Sequence, residues 1–560
     1  VEPRFLDVKL SRRGSWVAAL VLFALAFGFR LAGIGWGLPN ELRNQSMHPD
    51  ENLNYIVATQ TPYLQPGFYN YGTLFFTLVH VANDAGTSYG WIPQPQPENQ
   101  ADVFRSGIQT GRVLSALSGA ATVSLVFATL LLLTGTLGAF IGAAAMLLAP
   151  GHVVHSRFLT TDVFAAMLIA LAAFLVIKAL QQEENPTLKA LIAIGAVVGL
   201  AAGTKYTGVL MLLPALYVLF ARKEQAKSYL ALVASALFGF FIATPGVLIE
   251  TSAFARDFMY EVAHSAEGHG LVFVDTPPGF VFHSLNLAEA FGFFPFVIGG
   301  AGLIWGIVTK AKWAIASALF FLPYFAVISG AEVKFLRYVF PLLPFIAVGL
   351  GYIAGRCHEL GGSKRIVTGV AILLVGFTSA TTAGAFQLTR LMTTPDPRNQ
   401  AAVWFRDESP SDTTIGLVSD PWFYTPSFFE NVGALSFQDR LQEMQENPRL
   451  IRYIAPDGEK KDWDVRLLDL EPTYIVFSSF EFLDHDRLSE PNFVAFMERM
   501  QSEYDFIAIF WDTEPAFATT PEAMNFDRNM LRVIMRERYP KTHDMMYIRP
   551  TICVFKRKAD

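Results

Sequence analysis

Runs of about twenty apolar residues recur along this chain, and they limit its fold more than any other feature. They fall at roughly 15–36, 112–133, 136–154, 161–180, 188–203, 206–221, 228–249, 289–309, 313–329, 337–355 and 366–386. Each approaches the length a helix needs to cross a hydrocarbon core with its backbone groups bonded internally. The pattern therefore predicts a polytopic α-helical membrane protein with about eleven spans. Composition agrees, with 52% hydrophobic and 16% charged residues where a soluble chain carries about a quarter charged. A net charge of −6 argues against nucleic acid, which needs basic clusters.

Basic residues in the connections set the expected orientation. Lys178, Lys189, Arg222, Lys223, Lys227, Lys310, Lys312, Arg356, Lys364 and Arg365 fall on one side, mostly in clusters. Arg43, Arg105, Arg112, Arg157, Lys205, Arg256, Lys334 and Arg337 fall on the other, mostly alone. The clustered side is expected to be cytoplasmic, together with Arg4, Lys9, Arg12 and Arg13 ahead of the first run. That run is longer than a cleaved signal core and is read as a retained anchor. An odd number of spans then leaves the carboxyl-terminal part outside. Cys357 and Cys553 would lie on opposite sides of the membrane, and no disulfide framework is expected.

Three stretches do not read as membrane. The first outer loop, 37–111, carries Tyr63, Phe68, Tyr69 and Tyr71 and an apolar segment, Leu74 to Val81, too short to span. It predicts helices lying in the interface. The stretch 250–288 reads as a loop broken at Pro277-Pro278. From about 395 charges become dense and apolar runs shrink to strand length. Strands are expected at Thr414–Val418, Thr473–Ser478, Phe506–Trp511 and Tyr547–Phe555, with helices at Gln400–Phe405, Asn492–Met500 and Phe526–Arg538. The division expected is a transmembrane catalytic domain, 1–390, and an extracytoplasmic soluble α/β domain, 391–560.

Ionisable residues gather at the outer ends of the spans. His48-Pro49-Asp50-Glu51 opens the first outer loop, and His155-Ser156-Arg157 with Thr160-Thr161-Asp162 forms the second outer turn. Lys205 and the Lys334-Phe335-Leu336-Arg337-Tyr338 stretch face the same side. Each has an ordinary explanation. Pro at a first helical position followed by acids suits a helix start, Thr160 or Thr161 can cap a helix, and Lys or Arg at helix ends snorkel. Taken together, acids and bases converging on one membrane face are functional candidates, and Arg forks with a Lys point charge match a phosphate.

These residues resemble the GT-C superfamily of multi-span glycosyltransferases, in the branch of the protein O-mannosyltransferases (glycosyltransferase family 39) and the lipid A aminoarabinose transferase. The resemblance rests on His48-Pro49-Asp50-Glu51, Tyr69-Asn70-Tyr71-Gly72-Thr73-Leu74 and Gly111-Arg112-Val113-Leu114-Ser115. Arg157 with Asp162, Thr204-Lys205-Tyr206, and Arg337-Tyr338 with Pro341 and Pro344 complete it, over roughly 15–390. The resemblance implies an inverting transfer of a sugar from a polyprenyl-phosphate donor to an acceptor hydroxyl on the outer face, in a plasma membrane of the bacterial inner-membrane kind. It implies Asp50 as base and Glu51 beside it, with Lys205 and Arg337, then Arg112 and Arg157, at the donor phosphate. Asp162, His48, Tyr71, Tyr206, Tyr338, His264 and His269 are expected to orient substrate. His48 also fits a surface hydrogen-bonder. His264, Glu267 and His269 are read as part of a loop that covers the donor or, as the alternative, holds a divalent ion; their i, i+3, i+5 spacing is not a strong ligand pattern, so no metal is committed.

No cofactor is expected beyond the lipid-linked sugar as substrate. The acceptor, whether glycan, lipid or protein, stays open, because 250–288 is too short for the lumenal insert of eukaryotic protein O-mannosyltransferases. The oligomeric state stays open too. The alternative function is a transporter or flippase of lipid-linked sugars, which would place charges at midplane and build two similar halves. A sensor anchored by its spans needs only one of them.

Overall fold

The computed structural model describes residues 10–359 apart from 41, 44, 63, 97 and 98, and then 381–428, 447–511, 524–536 and 542–559. Tyr63, Arg4, Lys9, Lys364, Arg365 and most of the run at 366–386 lie outside the described residues.

The protein is a multi-pass α-helical membrane protein. Helix α1 (Arg12–Leu31) leads to the long loop that holds α2 (Pro49–Thr59) and α3 (Leu74–Ser88). The membrane part continues through α4 (Gln100–Leu133), α5 (Thr136–Leu147), α6 (Pro150–His155), α7 (Thr161–Gln181), α8 (Leu188–Ala202), α9 (Leu212–Ala221) and α10 (Ala226–Ala243). Then follow α11 (Gly246–Ile249), α12 (Thr251–Glu267), α13 (Gly279–Phe291), α14 (Phe293–Val308), α15 (Lys312–Ser329) and α16 (Leu343–Glu359). Among the described residues, six helices are long and apolar enough to cross a membrane, and the pair α13 and α14, bent by 111°, makes up to seven. The runs at 136–154, 188–203 and 206–221 fold as shorter apolar helices, because Pro150 opens a new helix after Ala149 and because 206–211 is a 3₁₀ segment.

Two expectations change. The run at 112–133 is the later part of a 34-residue helix that begins at Gln100. The stretch 250–288 is mostly helical: α12 and α13 fill it, and only 268–278 is loop. Helix α12 was missed because it is amphipathic rather than uniformly apolar. Its exposed Met259, Tyr260 and Val262 interleave with an acidic face formed by Asp257 and Glu261, with Glu250 just ahead of the helix.

The carboxyl-terminal region holds a mixed five-stranded sheet of order β2-β1-β3-β5-β4. Its strands are β1 (Ile415–Leu417), β2 (Leu450–Ile451), β3 (Tyr474–Ser478), β4 (Tyr504–Phe510) and β5 (Ile552–Arg557). Both faces are covered, so β3 reads as an unbroken apolar run and is buried throughout. Period-two alternation divides it: Tyr474 and Val476 join the core containing Phe405 and Ile415, while Ile475 and Phe477 join Trp463, Phe482 and Phe493. The flanking helices are α17 (Pro397–Glu408), α18 (Ser479–Leu488), α19 (Pro491–Glu503) and α20 (Arg528–Arg536); α18, closed by a Ser478–Glu481 capping box, was not expected. Cys357 and Cys553 are both free.

The last expected strand starts five residues late. Residues 543–548 form a 3₁₀ turn whose carbonyls are used elsewhere: Arg398 Nη2 donates to Tyr547 O at 2.8 Å and Trp36 Nε1 to Ile548 O at 3.1 Å. The segment instead lies against Trp36 and the start of the 3₁₀ segment at 336–342.

Candidate active site

A buried ion pair holds the loop between α1 and α4. Arg112 on α4 donates to both oxygens of Glu51, Nε to Oε1 at 2.7 Å and Nη2 to Oε2 at 2.6 Å, with both residues fully buried. Leu159 N donates to Oε1 at 2.7 Å, Ser46 Oγ donates to Oε2, and Arg112 Nη1 reaches the carbonyls of Ile34 and Trp36. Burial alone would raise the Glu51 carboxyl, but the adjoining guanidinium holds it below its ordinary value. The two residues thus join the end of α1, the start of α2 and the turn before α7. Arg112, expected at the donor phosphate, has its fork occupied by this pair.

Arg157 is likewise buried and engaged. Its guanidinium donates to Phe29 O at 2.9 Å, Thr389 Oγ1 at 2.8 Å and Arg30 O at 3.3 Å, so it ties α1 to residues 381–391. It does not face the other candidate residues. His48, read as a surface group or an assisting one, is fully buried. Its Nδ1 accepts the N–H of Asp50 at 3.2 Å and caps α2, and its ring stands 4.4 Å from that of Phe158 and 5.0 Å from that of Tyr547.

Four charged residues do come together. Asp50, at the second position of α2, keeps a third of its side chain exposed and lies 3.4 Å from Arg337 Nη2. Arg337 Nε lies 3.9 Å from Asp162 Oδ2, and Asp162 Oδ1 accepts from Lys205 Nζ. Asp50, Arg337, Asp162 and Lys205 thus form one alternating row. Lys205 precedes the 3₁₀ segment 206–211 and Arg337 sits at the start of another, 336–342. The tight turns aim both cations away from the helix axes that follow them. Among the described residues Arg337 Nη1 has no hydrogen-bond partner, and a buried unused donor calls for an acceptor.

A cavity of about 480 Å³ opens beside this row. Lys205, Tyr71, Tyr206, Tyr338 and Glu261 line its polar end, and Val209, Val262 and Val327 line the rest. Those three valines are about half exposed, so the cavity runs from Lys205 to the outside of the helical bundle. Lys205 Nζ stands 4.8 Å over the Tyr338 ring, Tyr324 Oη donates to Tyr338 O at 2.9 Å, and Tyr206 Oη to Tyr69 O at 2.6 Å.

The segment that delivers Tyr71 is docked on α12. Asn70 Nδ2 donates to Glu261 Oε1 at 2.8 Å, Tyr69 N to Asp257 Oδ2 at 2.8 Å and Tyr69 Oη to Glu250 Oε2 at 2.6 Å. Gly72 presses on the turn before Lys205, where a β-carbon would stand 2.2 Å from Gly203 C and O. Glu250, Asp257 and Glu261 were not foreseen. Their i, i+7, i+11 spacing puts them on one helical face, a signal open to anyone reading 251–267 as a helix.

His264 and His269 stand 5.3 Å apart, and the His269 ring is 5.3 Å from that of Phe335, under the Arg337 guanidinium. They border the site without entering the row. Among the described residues no group of three His, Cys, Asp or Glu could hold a metal ion. Asp544 was missed altogether. Its carboxylate accepts from Leu336 N at 3.1 Å and Arg337 N at 3.0 Å. Burial pushes its carboxyl up, against the pull of Arg337.

The fold that carries this row is the GT-C fold. The oligosaccharyltransferase of Archaeoglobus fulgidus in its apo form is 12% identical, with a TM-score of 0.52, covering 92% of this chain and 76% of its own. ArnT of Cupriavidus metallidurans in the apo state is 15% identical, with a TM-score of 0.50, covering 85% of this chain and 95% of its own. Residues 100–249 match the family model described as dolichyl-phosphate-mannose-protein mannosyltransferase, and that stretch contains Arg112, Arg157, Asp162 and Lys205. The likeness read from the motifs, to GT-C glycosyltransferases related to protein O-mannosyltransferases and ArnT, is borne out. No curated protein matches by sequence.

Proposed function

We propose that the protein is an inverting glycosyltransferase that takes its sugar from a polyprenyl-phosphate carrier and passes it to an acceptor hydroxyl on the outer face of the membrane. The observation that carries this reading is the alternating row of Asp50, Arg337, Asp162 and Lys205, whose last member, Lys205, lines a cavity with largely apolar walls. The family model matched by residues 100–249 names a dolichyl-phosphate sugar as donor, which fits a phosphate at Lys205 and Arg337 with a lipid tail along Val209, Val262 and Val327.

In the reaction the acceptor oxygen attacks the anomeric carbon from the side opposite the phosphate. The bond from that carbon to the phosphate oxygen breaks, and the hydroxyl proton passes to Asp50. The donor phosphodiester carries one negative charge and the departing phosphomonoester two. Lys205 and the unused Nη1 of Arg337 meet that added charge in a site largely shut from water. Asp162 holds both cations in place. Glu51 and Arg112 act as positioning residues that fix the turn bearing Asp50. Tyr71, Tyr206 and Tyr338 shape the sugar pocket, and Glu261 with Asn70 offers it hydrogen bonds.

The test is Asp50→Asn in purified protein supplied with a polyprenyl-phosphate sugar. Transfer is expected to fall by at least about a hundredfold while the lipid still binds. Unchanged transfer would remove Asp50 from the role of base. Mass spectrometry of cells lacking the gene identifies the donor that accumulates.

A further inference from the structure

A second cavity, of about 860 Å³, lies at the opposite end of α2 from Asp50. It opens between the last turn of α2, the end of α3 and the first turns of α4. Its rim is built of uncharged hydrogen-bonding groups: Gln60, Asn83, Thr87, Gln94 and Gln100. Tyr55 and Phe104, nearly buried and in edge contact at 4.6 Å, form its floor. Among the described residues, Asp84 is the only charged side chain in its lining.

Beside it stands an aromatic pair. Tyr89 and Trp91 are 76% and 78% exposed, with ring centroids 5.9 Å apart and planes inclined by 31°. They occupy the turn between Ser88 and Ile92, both of which line the cavity. The turn is fixed: Trp91 N and Ile92 N both donate to Gly86 O, at 2.8 and 3.1 Å, and Ile92 is buried against Gly86. The backbone therefore holds two large rings outward, at the edge of a polar cleft, without covering them.

We infer that this cleft is a carbohydrate-binding site that receives a short neutral oligosaccharide. Side-chain amides present a donor and an acceptor to adjacent sugar hydroxyls, and exposed Trp and Tyr rings are amphipathic surfaces suited to the apolar faces of sugar rings. The volume falls within the ~300–1,000 Å³ of ligand clefts. A phosphate or nucleotide is disfavoured, because among the described residues no Lys or Arg lines the cleft. An extended basic peptide would find one carboxylate among the described lining residues.

Asp50 and Thr59, which lines the cleft, lie nine residues apart on α2, about 14 Å along the helix axis. A glycan held at the far end of α2 can extend along the outer face toward the reacting site. That consequence, a growing glycan as acceptor, rests on the transferase reading; the binding itself does not.

The test is calorimetric titration of the full chain in nanodiscs with maltotetraose and with mannotetraose, using inorganic phosphate and a neutral tetrapeptide as controls. Saturable binding of at least one oligosaccharide and of neither control is expected. Gln60→Ala, Gln94→Ala and Trp91→Ala should each weaken it by about three- to tenfold. No saturable oligosaccharide binding, or binding indifferent to all three substitutions, overturns the inference. So does quenching of Trp91 fluorescence by brominated lipid, assigned by difference against Trp91→Phe, because it would seat the ring pair in the bilayer. Oligosaccharide binding without any transfer would instead count against the transferase reading alone.

Discussion

The carboxylate of Asp544 accepts the backbone N–H of Arg337 at 3.0 Å and that of Leu336 at 3.1 Å. Asp544 lies in the carboxyl-terminal region and Arg337 at the mouth of a span, more than two hundred residues earlier. The contact fixes the start of the 3₁₀ turn from which Arg337 reaches Asp50 and Asp162. Asp544→Ala leaves two buried donors without an acceptor, at about 1–3 kcal/mol each. Transfer is expected to drop by at least about tenfold, while Asp544→Asn, which keeps one acceptor oxygen, recovers part of it. Steady-state kinetics of the two variants check this.

Removing Lys205 should cost transfer more than lipid binding. Lys205→Gln is expected to lower turnover by about 10²–10³. The same change leaves Asp162 with Arg337 as its remaining cation at 3.9 Å. Combining it with Asp162→Asn should therefore cost less than the two losses added together. A double-mutant cycle on turnover reads the coupling, and strict additivity would separate the two residues.

Glu51 and Arg112 are expected to act on stability first. Breaking a buried pair by removing one partner costs about 3–5 kcal/mol. Arg112→Met should lower the unfolding temperature sharply in detergent, while Lys205→Gln should change it little. A marginal shift for Arg112→Met would mean that the pair does not hold the loop.

Gly72→Val should be as damaging as a change in the charged row. A β-carbon there meets the Gly203 backbone at 2.2 Å, so either Tyr71 or the Lys205 turn must move. Loss of transfer with a normal yield of folded protein is the expected result, measured by activity and size-exclusion chromatography.

Acidification should destabilise the junction through His543. Burial, with help from nearby His269 and Arg337, lowers this histidine to about 3, below its ordinary 6.5. Between those values the unfolded chain binds a proton that the folded chain does not. Stability therefore falls as pH drops from about 6.5 toward 3 and is fully present above 6.5. Thermal unfolding of His543→Gln against the parent across this range should show the shallower slope in the variant.

Much of this protein is legible in the order of its residues. Apolar runs near twenty residues long leave a chain little choice but to span a membrane as helices, because unpaired backbone groups are intolerable in hydrocarbon. Each run before 359 is helical in the structure. The strands at 474–478 and 504–510 are legible for a similar reason, since a sheet covered on both faces selects β-branched and aromatic runs. Asp50, Asp162, Lys205 and Arg337 are legible because charge at a span's end needs a reason.

Tertiary structure decided how those charges are used. Arg112 and Arg157 carry the same guanidinium as Arg337 and sit at similar boundaries. Their partners are a carboxylate from α2 in one case, and carbonyls and a hydroxyl from α1 and Thr389 in the other. None of those contacts is local in sequence. The same holds for Asp544, one acid among many in a charged region until the chain folds back and sets it beneath Arg337. Periodicity records which face of an element is apolar, because that depends on near neighbours alone. Which cation remains available to a ligand depends on every group packed around it, and only the folded chain brings those groups together.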